Sequence, residues 1–230
     1  METENNPSND GDQIPLFPLP ATVFYPNTHL PLHIFEPRYR QMVADALEGG
    51  QKIGMVLLQP GWEANYFAAP PIASVGCVGE IEQHIRLEDG KYNMVLVGLH
   101  RIQIIQEFDG KPYRRAKVEL LKEINDQTLS ADSHPLKDKL IEHCHQFLRL
   151  LPSGEKLQRE MDLNRCQTLS HLVDQIAYRL NLTVEQKQKL LEERDVLRRT
   201  DEIHAALKMK IDLMNLSRMQ KRPDTDWNLN

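Results

Sequence analysis

Ser153 and Lys156, three positions apart in PSGEK, are the pair that most resembles a nucleophile with a base beside it. A serine attacks only where a positioned base takes its proton and oxyanion donors await the developing charge. Here Pro152, Ser153 and Gly154 read as a helix-breaking turn, and nothing nearby orients the hydroxyl. His143-Cys144-His145 is the second candidate, because imidazole and thiolate are both metal ligands. Consecutive helical side chains point about 100° apart, so the three cannot converge on one ion. Cys144 therefore reads as a small core hydrophobe with the histidines on its flanks, and a site built with Cys166 and His171 would need proximity that spacing does not supply. No G-x-x-x-x-G-K-[ST] loop is present to cradle nucleotide phosphates, and no pair of carboxylates stands out. The expectation is a non-catalytic chain without metal or cofactor.

Contact chemistry is better represented. The connection QPGWEANYFAAPP, Gln59 to Pro71, carries Trp62, Tyr66 and Phe67 between prolines. Connections of about 12 residues or more inside compact domains are commonly functional, and aromatic rings supply wide contact area at low entropic cost. Two readings stand: a loop that binds polypeptide, or a satellite core closing one end of a sheet, with exposure of the rings deciding between them. His33 and Phe35, just before a helix start, are assigned to the same groove, because a sheet rim and a helix entry adjoin. Glu36, Arg38 and Tyr39 read as structural, since a carboxylate at a helix start and a nearby arginine bond internally.

The elements that must carry these groups follow from periodicity. Prolines at 15, 18, 20, 26 and 31 restrict the first segment to edge strand or irregular extended chain. Pro37 then suits a first helical turn, Tyr39, Met42, Val43, Ala46 and Leu47 form one apolar stripe, and Gly49-Gly50 offer a stop at positive φ. IGMVLL from Ile53 reads as a strand covered on both faces. Val75 to Leu87, the turn Glu88-Asp89-Gly90-Lys91 and Tyr92 to Gly98 read as a hairpin with Val78, Ile81 and Ile85 buried, and with Gly76 and Gly79 marking a bulge or close approach. Arg101 to Phe108 and Tyr113 to Leu121 add two more strands. Beyond Glu123 the period becomes helical: Pro135 opens a helix ending before Pro152, Thr168 caps a second, Thr183 and Gln186 form a capping box for a third, and Val196 to Met214 stripe a fourth. The expected organisation is a tail (1–13), a β-rich lobe (14–121), a linker (122–134), a four-helix lobe (135–219) and a polar tail (220–230).

Composition narrows the partner. Net charge is −5, but four of the acids lie in residues 1 to 13 with no base, while residues 14 to 121 carry ten bases against eleven acids and the remainder eighteen of each. Binding to nucleic acid calls for clustered cations, and the one dense group in the first half, Lys111, Arg114, Arg115 and Lys117, reads more simply as a solvated hairpin arm. Three irregularly spaced cysteines fit a reducing compartment, and no segment nears the ~18 consecutive apolar residues of a membrane span. A cytoplasmic, monomeric or weakly dimeric protein is expected, with neither membrane nor nucleic acid as its partner.

Several segments in order carry a resemblance: IPLFPLPATVFYPNTHLPLHIFEPRYRQMVADAL from Ile14 to Leu47 with its E-x-R-Y at Glu36, Arg38 and Tyr39, then VGCVGEI, NMVLVGLHRIQI, and LVDQIAYRLNLTVEQKQKLLEERDVLRRTDEIHAAL. Together they resemble the Lon protease N-terminal, or LON substrate-binding, domain over about residues 14 to 219. The resemblance implies an α+β fold, a mostly antiparallel PUA-like pseudo-barrel with one packed helix followed by a four-helix bundle. It also implies recognition of exposed apolar segments of unfolded or extended polypeptides without ATP, through hydrophobic contacts in a groove or by strand addition at an exposed barrel edge, and the reading of the residues above places Trp62, Tyr66, Phe67, His33 and Phe35 at that groove. The chain reads as such a domain on its own, with neither the ATPase nor the Ser-Lys protease part. A folded partner such as a protease, held by the last helix, is the alternative, and RNA binding by the PUA-like lobe the third.

Overall fold

The computed structural model describes residues 13–65, 69–129 and 135–220. Both expected tails, apart from Gln13 and Gln220, lie outside the described residues, as do Tyr66 and Phe67. The order is β1 (Gln13–Leu19), β2 (His29–Ile34), α1 (Pro37–Glu48), β3 (Lys52–Leu57), β4 (Val75–Arg86), β5 (Tyr92–Phe108) and β6 (Arg114–Leu120). The helices α2 (Pro135–Arg149), α3 (Gly154–Glu160), α4 (Leu169–Arg179), α5 (Val184–Glu192) and α6 (Val196–Gln220) follow. The fold is α+β, as expected. The chain up to Lys122 with Leu180–Arg194 forms one compact unit, and the chain from Glu123 to Arg179 with Asp195 onward forms another.

In the first unit the strands run β2-β5-β4-β3-β1-β6, and β6 also pairs with β5, so five strands close a ring and β2 lies outside it along β5. All pairings are antiparallel except β1 with β3. The proline-bearing β1 is internal, not an edge strand. Its two neighbours are offset: residues 13–16 meet β6 and residues 16–19 meet β3, so Pro15 and Pro18 each lie beside only one partner and the missing N–H breaks no two-sided ladder. Leu16, Val56 and Ala116 fill one cluster, with Ile72, Ile104 and Val118 packed on it.

Helix α1 starts with Pro37 at its first position and buries Tyr39, Met42, Val43 and Ala46. Phe17 of β1 lies 4.5 Å from the Tyr39 ring. Its stop differs from the expectation. Gly49 has φ −107°, and the positive φ falls on Gln51 (55°), whose N–H bonds Ala46 O at 2.9 Å. The two sequence segments either side of Gly98 are one strand, β5, of 17 residues.

Helix α5, expected in the helical lobe, belongs to the ring unit. Gln188 Nε2 donates to Val75 O (3.0 Å), Tyr25 Oη to Lys187 O (2.6 Å), and the buried Arg101 donates from Nε to Leu191 O (3.0 Å). Its capping box is present, with Gln186 N on Thr183 Oγ1 at 3.2 Å and Thr183 N on Gln186 Oε1 at 3.0 Å.

The second unit packs the inner faces of α2 (Leu140, Cys144, Leu148), α4 (Leu172, Val173, Ile176) and α6 (Ile203, Leu207, Ile211). The short helix α3 begins within the PSGEK turn, at Gly154, where the sequence had suggested only a break. At the centre of this unit Arg199 of α6, fully buried, meets Glu123 (2.7 Å) and the buried Asp174 (3.7 Å). Residues 123–129 are tied into this unit rather than forming a linker. Val196 N bonds Ile124 O at 2.9 Å, and Asp126 accepts from the backbone N and the hydroxyl of Ser170 at 2.9 and 2.8 Å.

Candidate functional site

The most chemically distinctive surface is the outer face of β2, β5 and β4. Alternation along β2 buries Leu30 and Ile34 and turns His29, Pro31 and His33 to the outside. Facing them on β5 are Val97, Val95 and Asn93, so pairing builds rows: Pro31 beside Val95, and His33 beside Asn93. On β4, Gln83 adjoins Val95 and Ile85 adjoins Asn93. The result is a shallow groove of about 430 Å³ lined by Pro31, His33, Gln83, Ile85, Asn93 and Val95 among others.

Ile85 corrects an expectation and makes this site. Counting by twos from Ile81, which is 4% exposed, puts it in the core, yet Ile85 is 66% exposed. A register shift between Ile81 and Gln83 adds one residue to β4, and a one-residue slip moves every later side chain to the other face. The neighbouring shift at Val78/Gly79 lies where the glycines had marked a bulge.

Phe35, just past β2, is 58% exposed. Its ring stacks on His33 at 6.2 Å with 26° between planes. His33 Nδ1 and Asn93 Oδ1 lie 2.7 Å apart. This contact holds the imidazole against Asn93 as one wall of the groove. On the adjoining row His29 Nε2 approaches Glu82 at 3.8 Å.

The other sequence-predicted residues lie elsewhere. Trp62 starts a short 3-10 turn (Trp62–Asn65), is half-buried and does not line this groove. The base of its loop is clamped: Gln59 N donates to Pro71 O (2.9 Å), and Arg114 Nη1 to Pro70 O (2.5 Å). Glu36 and Arg38 bond each other at 3.0 Å, and the Arg38 guanidinium stacks 4.5 Å from the centre of the buried Tyr39 ring. Arg38 also lines a separate cavity of about 300 Å³.

The basic group on the β5–β6 arm is matched locally. Arg114 grips Glu107 through Nε (2.6 Å) and Nη2 (2.8 Å), Lys111 reaches Asp45 (3.0 Å), and Arg115 donates to Asp109 O (2.8 Å). Burial alone would raise the Asp45 pKa, but bonds from Tyr113 and Lys111 outweigh it and hold the carboxyl below its ordinary value. Cations so engaged offer phosphates little.

In the helical unit, burial pushes the thiols of Cys144 and Cys166 up to about 11, away from the thiolate that attacks carbonyls or binds metal. Among the described residues no three His, Cys, Asp or Glu side chains cluster as a metal site would require. Met209, Leu213 and Leu216 stand out from α6 at 53–58% exposure, whereas Met214 is half-buried. No helix among the described residues is long and apolar enough to cross a membrane.

Comparison with known proteins adds the family. Residues 13–209 match the ATP-dependent protease La (LON) substrate-binding domain. The chain is 29% identical over 219 residues to Lon protease of Dictyoglomus thermophilum, covering 94% of this chain and 27% of the relative. Against Lon protease of Anaeromyxobacter dehalogenans it is 27% identical over 208 residues, covering 89% and 23%. The chain thus spans about a quarter of the length of these relatives. Two solved structures share the fold. The N-terminal domain of Mycobacterium avium complex Lon protease has TM-score 0.63 at 21% identity, over 85% of this chain and 98% of that one. The Lon N-terminal domain protein from Xanthomonas campestris has TM-score 0.60 at 24% identity, over 84% and 97%.

Proposed function

Because the chain belongs to the LON substrate-binding domain family, we propose that it recognises exposed apolar segments of extended polypeptides on the outer face of β2, β5 and β4. The observation that carries this reading is the pair Phe35 and Ile85, 58% and 66% exposed beside a groove floored by Val95 and Pro31. Soluble folds leave single apolar residues outside routinely, but a contiguous set around a concavity marks a contact surface. Covering each of the two side chains supplies roughly 1.5–3 kcal/mol, part of which is lost in ordering the bound segment. Nothing in such contacts consumes nucleotide, so binding proceeds without ATP. Trp62, Tyr66 and Phe67 are retained in this proposal as candidates for further contacts with the polypeptide.

Fluorescence anisotropy with a labelled peptide from an unfolded protein tests it. The double change Phe35→Ser and Ile85→Ser is expected to weaken binding by about tenfold or more, as for the central apolar anchors of an interface. Trp62→Ala with Phe67→Ala is expected to weaken it less, and added ATP to change nothing. Unchanged affinity in the Phe35/Ile85 variant sinks this site.

A second reading has its own support in the exposed Met209, Leu213 and Leu216, which share one face of α6 at spacings of four and three. That face suits a folded protein partner such as a protease. Leu213→Ser with Leu216→Ser is expected to abolish capture of such a partner while sparing peptide binding.

A further inference from the structure

The outer face of β2, β5 and β4 and the edge of β2 away from β5, which pairs with no other described strand, offer an extended chain two different grips, and the backbone geometry favours one. Resting on the reading above, we infer that the groove holds its segment by side chains laid on the sheet face, at alternate positions i and i+2, and not by a backbone ladder added to β2.

The direction of the β2 backbone carries the argument. Gly98 N donates to Thr28 O at 2.9 Å, so the Thr28 carbonyl points toward β5, while the Thr28 N–H turns back to Tyr25 O. In an antiparallel pair, both backbone groups of one residue point to the same side and alternate along the strand. Leu30, Leu32 and Ile34 therefore also turn theirs to β5, while His29, Pro31 and His33 turn theirs to the free edge. Pro31 has no N–H. The edge thus turns N–H groups outward only at His29 and His33, about 13 Å apart with no donor between them. A proline at this position is how sheets blunt an edge against strand addition.

The face has the opposite character. Its rows, Ile85-Asn93-His33 and Gln83-Val95-Pro31, are two residues apart along every strand. That separation is about 6.8 Å, the same as between side chains i and i+2 of an extended segment lying along the strands. Apolar groups at i and i+2 reach the rows of Ile85 and Val95 together. An amphipathic helix, with apolar groups at i, i+3 and i+4, does not match this repeat. The substrate class is therefore a strand-like segment of alternating apolar and polar residues.

The full chain is tested by anisotropy with three labelled probes of one composition: a peptide alternating Val or Phe with Ser or Gln, the same peptide N-methylated on every second amide, and a rearrangement with helical spacing. The alternating peptide is expected to bind, the methylated form to stay within about threefold, and the helical-pattern form to lose about tenfold or more. Collapse of affinity on methylation, with the parent peptide still binding, overturns face recognition in favour of strand addition. Equal binding of the helical pattern overturns the i, i+2 register. If the alternating peptide binds the Phe35→Ser, Ile85→Ser variant as well as the unaltered chain, or binds neither, the underlying substrate reading falls and this inference with it.

Discussion

The ring unit and the helical unit treat their apolar residues differently. In α4 every apolar stripe residue, Leu169, Leu172, Val173, Ile176 and Ala177, is at most 1% exposed. In β4, Ile81 is 4% exposed and Ile85, four residues on, is 66% exposed. A helix has one apolar stripe and docks it or loses it, whereas a strand has two faces and a single inserted residue redirects its side chains without unpairing it. The ring is thus able to set large apolar groups outside on a backbone held by its own ladder. The helical unit displays such groups in the second half of α6, at Met209, Leu213 and Leu216. A binding face is cheaper to build on the sheet.

The two units also stabilise their buried cations differently. Arg101 of the ring donates to a neutral carbonyl, that of Leu191, while Arg199 of the helical unit meets two carboxylates, Glu123 and Asp174. The largest effect is accordingly expected for Arg199→Met. It leaves the Asp174 carboxylate buried beside an apolar chain, at a cost of about 3–5 kcal/mol in denaturant unfolding, and restoring stability should take Asp174→Leu as well. A loss under about 1 kcal/mol would mean that the carboxylate finds water or another donor.

Next in size is a pair on one strand. Ile81→Ala is expected to cost about 2–4 kcal/mol through the cavity it leaves. Ile85→Ala should stay within about 0.5 kcal/mol in stability while weakening peptide binding. Similar stability losses for both would erase the distinction between the faces of β4.

The pH response sharpens the comparison with the smallest effect. Burial lowers the pKa of His145, His171 and His204, and for His204 the neighbouring His143 and Lys139 add to it. Since the unfolded chain binds protons that these folded imidazoles resist, their contribution is full above about pH 6.5 and is lost as pH falls toward their lowered values. Asp45 of the ring, also lowered, begins to matter only below about pH 4, in the ordinary carboxylate range. Hydrogen exchange at pH 5.5 against 7.5 is expected to show α2, α4 and α6 losing protection while β4 and β5 keep theirs. Uniform loss across both units would contradict this order.

Much of this was legible in the residues. Pro37 and the stripe from Tyr39 to Ala46 announce α1, Thr183 and Gln186 announce the capping box of α5, and Gly79 lies at a bulge. His33 and Phe35 are close in the chain, and their rings stack. Trp62 does not line the groove, and Pro70, near the end of the same connection, is held by Arg114 of β6. Ile85 was misread for a physical reason: period-two counting assumes no inserted residue, and the chain around Glu82 carries no glycine or proline to warn of one.

By itself, then, the sequence determined the family, the α+β composition, the helix starts and the lack of phosphate-loop chemistry, because caps, prolines and stripes act over a few neighbouring residues. Tertiary structure alone decided that α5 joins the ring, that proline-bearing β1 is internal, and that Ile85 faces outward. Those outcomes depend on register and pairing between strands far apart in the chain, and no local spacing encodes them.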